Sequence, residues 1–410
     1  MAIPSFLAFD ADTKLPPEPA VRALREKLGL PSYRGSTIVL AGDSRIAAEI
    51  EGSDTSNAFR RQQHGAFDWA NVFLRHRFAV LASTGVVGNT TAQLLARYDR
   101  DVLAYQPQNV LIGIGVNDVT NLVPVADIKA NILQMVALNA SVGATSILCT
   151  VNPRDSHSAD QRLALAELNR WFLGLAVRGV IVVDVTSPVV NATAMTWKSG
   201  YTIDSDGLHQ NRAAAPRMGR LIADRLAPLY PSVNPLPVLP ADPLNLIVNP
   251  FMDGSGSTAT GWQIIGAVTG SLVPSTDLRP GNWQQLVSTA ATNTHLRQLN
   301  IACPPEWIGR RVKGAIEFVF NAGAQMSSIQ LQLNHQSSDG SILMASADMS
   351  QNAGDSGALS YQPLVDAGAV VFETTAATVK TGTTMFQFIL ELSNFVGTVR
   401  ARRGVLTLAD

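Results

Sequence analysis

A chain of 410 residues is long for one domain, and 46% hydrophobic against 15% charged residues marks it as core-forming rather than disordered. A formal net charge of -1 excludes a general electrostatic attraction to nucleic acid or to an anionic membrane. The two cysteines, Cys149 and Cys303, lie far apart in sequence, which argues against a structural disulfide or a zinc site.

The amino-terminal residues Met1-Ala2-Ile3-Pro4-Ser5-Phe6-Leu7 show no basic region followed by a long apolar segment. No signal peptide is expected from them, and no stretch of the chain is long enough to span a bilayer. Residues 1–35, with a Pro-Pro-Glu-Pro turn and a short amphipathic helix around Val21–Leu28, are expected to form an arm packed on the first domain, or else an attachment segment. Apolar runs then recur at about 37–41, 78–82, 109–114, 145–151 and 180–184. Between them lie segments with apolar residues at helical spacing, such as Thr91–Tyr98, Val125–Ala140 and Gln161–Val177, and Arg212–Leu229 follows the last run. This alternation predicts an α/β domain over 36–229 with a parallel sheet covered on both faces.

Six prolines at 228, 231, 235, 237, 240 and 243 exclude a helix or central strand and predict a stiff Pro-rich linker over 230–244. Residues 245–410 show short alternating runs, among them Ile316–Phe320, Ile329–Leu333, Val370–Glu373, Met385–Leu392 and Gly404–Leu408, divided by Gly, Ser, Asn and Asp. These predict a second, all-β domain of antiparallel sandwich type.

Four loops at predicted strand ends carry residues suited to one chemistry. Ser44 ends the first run in Gly42-Asp43-Ser44; Gly85-Val86-Val87-Gly88-Asn89-Thr90-Thr91 follows the second, and Gly115-Val116-Asn117-Asp118 the third. Asp206-Gly207-Leu208-His209 precedes the closing helix. A serine hydroxyl needs a base, the base an orienting acid, and a developing oxyanion needs donors. His209 is the base expected, because among the six histidines it alone follows an Asp by three residues at the end of the α/β pattern. Asp206 is the preferred acid, with Asp204 as the weaker alternative, and the N–H groups of Ser44 and Gly88 with the Asn117 amide are the donors. Asp43 is then left to hold the turn. Taken singly, each loop reads more readily as a turn or a helix cap; their joint occurrence, in order and at strand ends, favours the chemical reading.

These four blocks resemble those of the SGNH, or GDSL-like, family of serine esterases and lipases over roughly residues 36–229. The resemblance implies a flavodoxin-like sheet, Ser44 as nucleophile, His209 as base, Asp206 as its acid, Ser44, Gly88 and Asn117 as oxyanion donors, and no metal or organic cofactor. Arg45 departs from the family pattern and is expected to face solvent or an acidic or hydroxylated substrate. Arg154, on the loop after the fourth run, is a second candidate for substrate contact. Asn245-Leu246-Ile247-Val248-Asn249-Pro250-Phe251 with Gly261-Trp262 resembles the start of jelly-roll carbohydrate-binding modules. Among Trp262, Trp283, Trp307 and Tyr361, Trp283 is the expected sugar-facing ring, and Trp262 and Trp307 are expected core anchors.

Together these readings predict a serine esterase that removes short acyl groups, O-acetyl foremost, from a carbohydrate or polysaccharide held by the β domain. Two alternatives stand beside it. One is a lipase or thioesterase acting on lipid acyl esters; the other is a phage tail or surface-binding structural protein carrying an SGNH domain. The expected setting is soluble, extracellular or virion-associated, otherwise cytoplasmic, with oligomers allowed.

Overall fold

The computed structural model describes residues 36–175, 177, 179–203, 206–232, 236–237, 242, 244–276, 281–350 and 368–409. The expected amino-terminal arm, Asp204, Tyr361 and most of the Pro-rich linker lie outside the described residues.

The amino-terminal half contains strands β1 (Ser36–Gly42), β2 (Ile50–Gly52), β3 (Ala58–Gln62), β4 (Phe78–Ser83), β5 (Asn109–Gly113), β6 (Thr145–Cys149) and β7 (Val180–Val183), with a small hairpin of β8 (Val190–Asn191) and β9 (Thr196–Trp197). Its helices are α1 (Ser44–Ala47), α2 (Ala66–Phe73), α3 (Thr91–Ala96), α4 (Tyr98–Asp101), α5 (Val116–Thr120), α6 (Val125–Ser141), α7 (Ala159–Leu173) and α8 (Ala214–Leu226). Five strands form a parallel sheet in the order β4-β1-β5-β6-β7. In sequence order that is second, first, third, fourth, fifth, the flavodoxin-like winding expected, and the direction of winding reverses beside β1.

Alternate side chains explain why these strands are apolar throughout. Ile38, Leu40, Leu111, Ile147 and Cys149 pack on one face against α2 and α8, while Val39, Ala41, Val110, Ile112 and Leu148 pack on the other against α3, α6 and α7. A sheet covered on both faces leaves no position for a polar stripe. Ser158 starts α7 with a capping box to Gln161, and Thr90 starts α3 in the same way with Gln93. Each box satisfies backbone N–H groups that the first helical turn leaves without acceptors.

The carboxyl-terminal half is dominated by strands: β10 (Gln263–Ile265), β11 (Thr269–Pro274), β12 (Asn282–Ala302), β13 (Arg311–Phe320), β14 (Ser328–Gln336), β15 (Ile342–Ser350), β16 (Val370–Glu373), β17 (Ala377–Thr378) and β18 (Met385–Leu408). The runs at 385–392 and 404–408, read from sequence as separate strands, belong to the single 24-residue β18. Ser393, Asn394 and Gly397 suggested a turn between them; instead Asn394 (φ 50°) and Gly397 (φ 106°) sit at irregularities in the pairing with β12, where left-handed backbone bends a strand without ending it. β18 pairs with β12 over residues 385–401, with β14 over residues 385–393 and with β13 over 399–408. Trp262, Leu286, Leu296, Phe318, Leu331 and Phe388 fill the core that these strands enclose.

A second junction joins the halves besides the Pro-rich segment. β3 pairs in parallel with β15, and the β2–β3 hairpin thereby becomes the end of the carboxyl-terminal sheet. Trp69 and Val72 of α2 belong to the β core, whereas Phe67 and Ala70 of the same helix belong to the α/β core. Polar contacts cross the seam: Arg75 Nη2 lies 2.6 Å from Glu317 Oε1 in an ion pair, and His76 Nε2 lies 3.5 Å from Asp348 Oδ2. Among the described residues no helix is long and apolar enough to cross a membrane.

Candidate active site

Ser44 sits where β1 ends and α1 begins, beside the reversal of winding. The turn is made by two neighbours. Gly42 pairs with Gly113 of β5 so closely that a Cβ on it would lie 2.1 Å from the Gly113 carbonyl oxygen, so no larger residue fits. Asp43 is buried, and its Oδ1 accepts the Arg45 N–H at 3.0 Å, capping α1. Burial pushes the Asp43 carboxyl up, and the Arg45 charge opposes that shift.

His209 and Ser44 are 165 positions apart in the chain, yet His209 Nε2 lies 2.7 Å from Ser44 Oγ. His209 Nδ1 lies 2.5 Å from Asp206 Oδ2. The other carboxylate oxygen of Asp206 accepts the N–H groups of Leu208 (2.7 Å) and His209 (3.0 Å). Partial burial works against the charged form of Asp206, but these N–H donors and the imidazole hold its carboxyl below the usual range. An anionic Asp206 accepting from Nδ1–H leaves Nε2 bare and directed at the hydroxyl, the arrangement that lets an imidazole take a proton from serine.

The three expected donors lie on loops at the ends of β1, β4 and β5. The backbone N–H groups of Ser44 and Gly88 have no acceptor within the described residues. Gly88 (φ 78°) occupies a backbone region that glycine enters without strain, which turns the loop after β4. The Asn117 side-chain amide donates one hydrogen to the Asn89 carbonyl at 2.9 Å, and its second hydrogen has no acceptor among the described residues. Asp118 anchors the same two loops, accepting the Thr91 N–H at 3.0 Å on each oxygen and the Thr91 hydroxyl at 2.6 Å. Sequence reading gave Asp118 no task, because a buried carboxylate that caps a neighbouring helix leaves no local pattern.

The structure corrects two expectations about substrate contact. Arg45 does not face solvent: it is buried, with Nη1 donating to the Asn152 carbonyl (2.9 Å) and Nη2 to those of Pro153 (3.0 Å) and Leu208 (3.1 Å). It thus ties α1 to the loop after β6 and to the segment carrying His209. Trp283 is also buried, with the Arg402 guanidinium 3.9 Å above its ring and Val273 of β11 opposite it in the sheet. A ring covered by a cation offers no open face to a sugar. Trp262 and Trp307 are buried in the β core.

Arg154 lies between Pro153, whose carbonyl Arg45 holds, and Asp155, whose N–H donates to Gly207 at 2.9 Å. It is half-buried beside the His209 segment, and its guanidinium makes no hydrogen bond within the described residues. Behind the nucleophile turn a cavity of about 50 Å³ is lined by Asp43, Arg45, Glu49, Asn152 and Gln210 together with apolar side chains. Arg45 Nε, Asn152 Oδ1 and Gln210 Oε1 are buried there without partners among the described residues, and the volume suits ordered water. No cluster of three metal-binding side chains occurs among the described residues.

Solved structures similar to this chain include a GDSL-like lipase from Bacteroides thetaiotaomicron, 20% identical over 50% of this chain and 95% of its own, with a TM-score of 0.36. A lipase/acylhydrolase from Enterococcus faecalis is 21% identical over 48% and 99%, at 0.37. An acetyl xylan esterase from Geobacillus stearothermophilus is 19% identical over 48% and 97%, also at 0.37. No curated protein matches the chain. The model of the GDSL-like lipase/acylhydrolase family matches residues 40–215, the segment that contains all four loops described above. Over that segment the chain is similar to the GDSL-like lipase/acylhydrolase family.

Proposed function

We propose that the chain hydrolyses short acyl esters, O-acetyl foremost, on a carbohydrate, through an acyl-enzyme formed at Ser44. The hydrogen-bonded series Asp206–His209–Ser44, at 2.5 and 2.7 Å, carries this reading. Ser44 Oγ attacks the ester carbonyl while His209 Nε2 takes its proton; the resulting imidazolium, steadied by Asp206, returns the proton to the departing alcohol oxygen. Water then attacks the acyl-serine with His209 again as base, releasing the carboxylic acid and restoring the hydroxyl. The N–H groups of Ser44 and Gly88 and the second Asn117 amide hydrogen receive the negative oxygen in both steps.

The support for a polar substrate is the openness of the site. The side chains of His209 and Asp206 remain 28% and 33% exposed, and Asn89, Thr90, Asn117 and Arg154, on the loops at the same strand ends, are each partly exposed. A shallow polar rim suits a hydrated polymer, and Arg154 is positioned to contact its hydroxyl groups. A second reading, a lipid or thioester acyl chain, draws on Val86, Val87 and Leu122, exposed apolar residues on the loops that carry Gly88 and follow Asn117. Acetate release from acetylated glycans and a p-nitrophenyl ester series from acetate to palmitate separate the two. The proposal expects acetate to be preferred, and a maximum at long chains would replace it with the second reading. Ser44→Ala is expected to abolish turnover of p-nitrophenyl acetate; retained activity would refute the mechanism.

A further inference from the structure

We infer that Arg97, which no motif singles out, is the positioning residue that sets the oxyanion donors against the nucleophile; the inference rests on the esterase reading above. Arg97 follows α3, and its side chain is only 11% exposed. Its guanidinium bonds to three separate parts of the site. Nη2 donates to the carbonyl of Gly42, two residues before Ser44, at 3.2 Å. Nη1 donates to the carbonyl of Thr84, just after β4, at 2.7 Å. Nε donates to the side-chain oxygen of Asn89, the residue after Gly88, at 3.0 Å.

Each bond reaches a different donor. Gly42 leads through Asp43 to the Ser44 N–H. Asn89 adjoins the Gly88 N–H, and its carbonyl holds the Asn117 amide at 2.9 Å. Thr84 is the root of the loop on which Gly88 sits. That loop needs an external hold: Val87 at its tip is 76% exposed, and the space around Gly88 is empty, with no atom within 4 Å of where a Cβ would stand. Side-chain packing therefore does not locate Gly88, and hydrogen bonds on either side of it must. Besides Arg97, the loop is tied to the nucleophile strand by Val86 N–H to the Gly42 carbonyl at 3.1 Å. Asp101 Oδ2, 3.0 Å from Arg97 Nη1, holds the guanidinium in its fork geometry. A lysine at this position is a single point donor and cannot span three acceptors at once.

The test compares Arg97→Ala and Arg97→Lys with the wild-type chain by residue-resolved hydrogen exchange and by steady-state kinetics on p-nitrophenyl acetate, with Ser44→Ala as the kinetic control. The inference expects the hydrogen-bonded amides of Thr84, Val86 and Asn89 to exchange roughly tenfold faster in Arg97→Ala while those of β6 are unchanged. It expects kcat to fall about 100-fold, the range for a displaced oxyanion donor, with KM within about threefold. Arg97→Lys should fall between the two, and added methylguanidine should restore part of the kcat of Arg97→Ala. Unchanged exchange at Thr84, Val86 and Asn89, or a general loss of protection and thermal stability with kcat preserved, would overturn the inference. If wild type and Ser44→Ala turn over substrate equally, the esterase reading fails; the exchange result then still decides whether Arg97 holds the loop.

Discussion

Replacing Arg45 by methionine tests whether this residue holds the site together or faces substrate. Methionine keeps the length and apolar stem of the side chain and removes the three guanidinium bonds at 2.9, 3.0 and 3.1 Å. Hydrogen bonds from a charged donor are each worth about 1.5–3 kcal/mol, and Asn152 and Pro153 are buried. Two effects act in opposite directions. The variant no longer has to desolvate a cation, which recovers several kcal/mol, but Asp43 loses the neighbouring charge that offsets its own burial. The balance is a loss of about 2–4 kcal/mol, or about 5–12 °C in melting temperature for a domain of this size. Because the bond to Leu208 also sets where His209 lies, kcat on p-nitrophenyl acetate should fall about 10–100-fold, with KM little changed. Calorimetry and steady-state kinetics on the same preparation read both quantities. A variant that melts within about 1 °C of wild type and loses only KM toward charged substrates would show that Arg45 serves the substrate, and would refute this reasoning.

The seam between the halves supplies a second test. Glu317 is fully buried between Arg75 at 2.6 Å, Arg402 at 2.8 Å and Arg403 at 3.6 Å, so Glu317→Gln removes the buried negative charge that these three guanidinium groups face. A loss of about 3–5 kcal/mol in urea denaturation is expected; a midpoint equal to wild type would show that the network adds nothing. Residues 36–229 expressed alone should fail to give a cooperative monomer by calorimetry and size-exclusion chromatography, because β3 loses β15 and Trp69 and Val72 lose their cover; a well-folded, active fragment would contradict this. Glu49 accepts the N–H groups of Phe67 and Asp68, yet burial raises its carboxyl to about 7. The folded chain thus binds this proton more tightly than the unfolded chain, and the stability so gained is present below about pH 4.5 and lost as pH rises through about 7. Glu49→Gln should flatten the stability profile between pH 5 and 8, and an unchanged slope would refute the assignment.

The sheet was legible because strands buried on both faces must be apolar at every position. The runs at 37–41, 78–82, 109–114, 145–151 and 180–184 became β1, β4, β5, β6 and β7 within a few residues of where they were read. Ser44, Gly88, Asn117, Asp206 and His209 were nameable because each lies at the end of such a run or beside the last helix. Distances were not legible: no pattern in sequence states that residues 165 positions apart approach to 2.7 Å. The β2–β3 hairpin escaped notice because Arg61 and Gln62 are buried polar residues in a strand, and neither alternation nor apolar run marks them.

Local sequence determined the strands, their winding into a parallel sheet, and which loops could carry chemistry, since these follow from hydrophobic period and from the backbone limits of Gly, Pro and the capping residues. Tertiary structure alone decided what the arginines do. Arg45, Arg97, Arg402 and Arg403 look like surface residues by type, but each ends beside carbonyls, carboxylates or a ring brought from distant parts of the chain. A long, flexible cation takes its role from whichever acceptors the fold places within reach, and that set is defined only once the chain is closed.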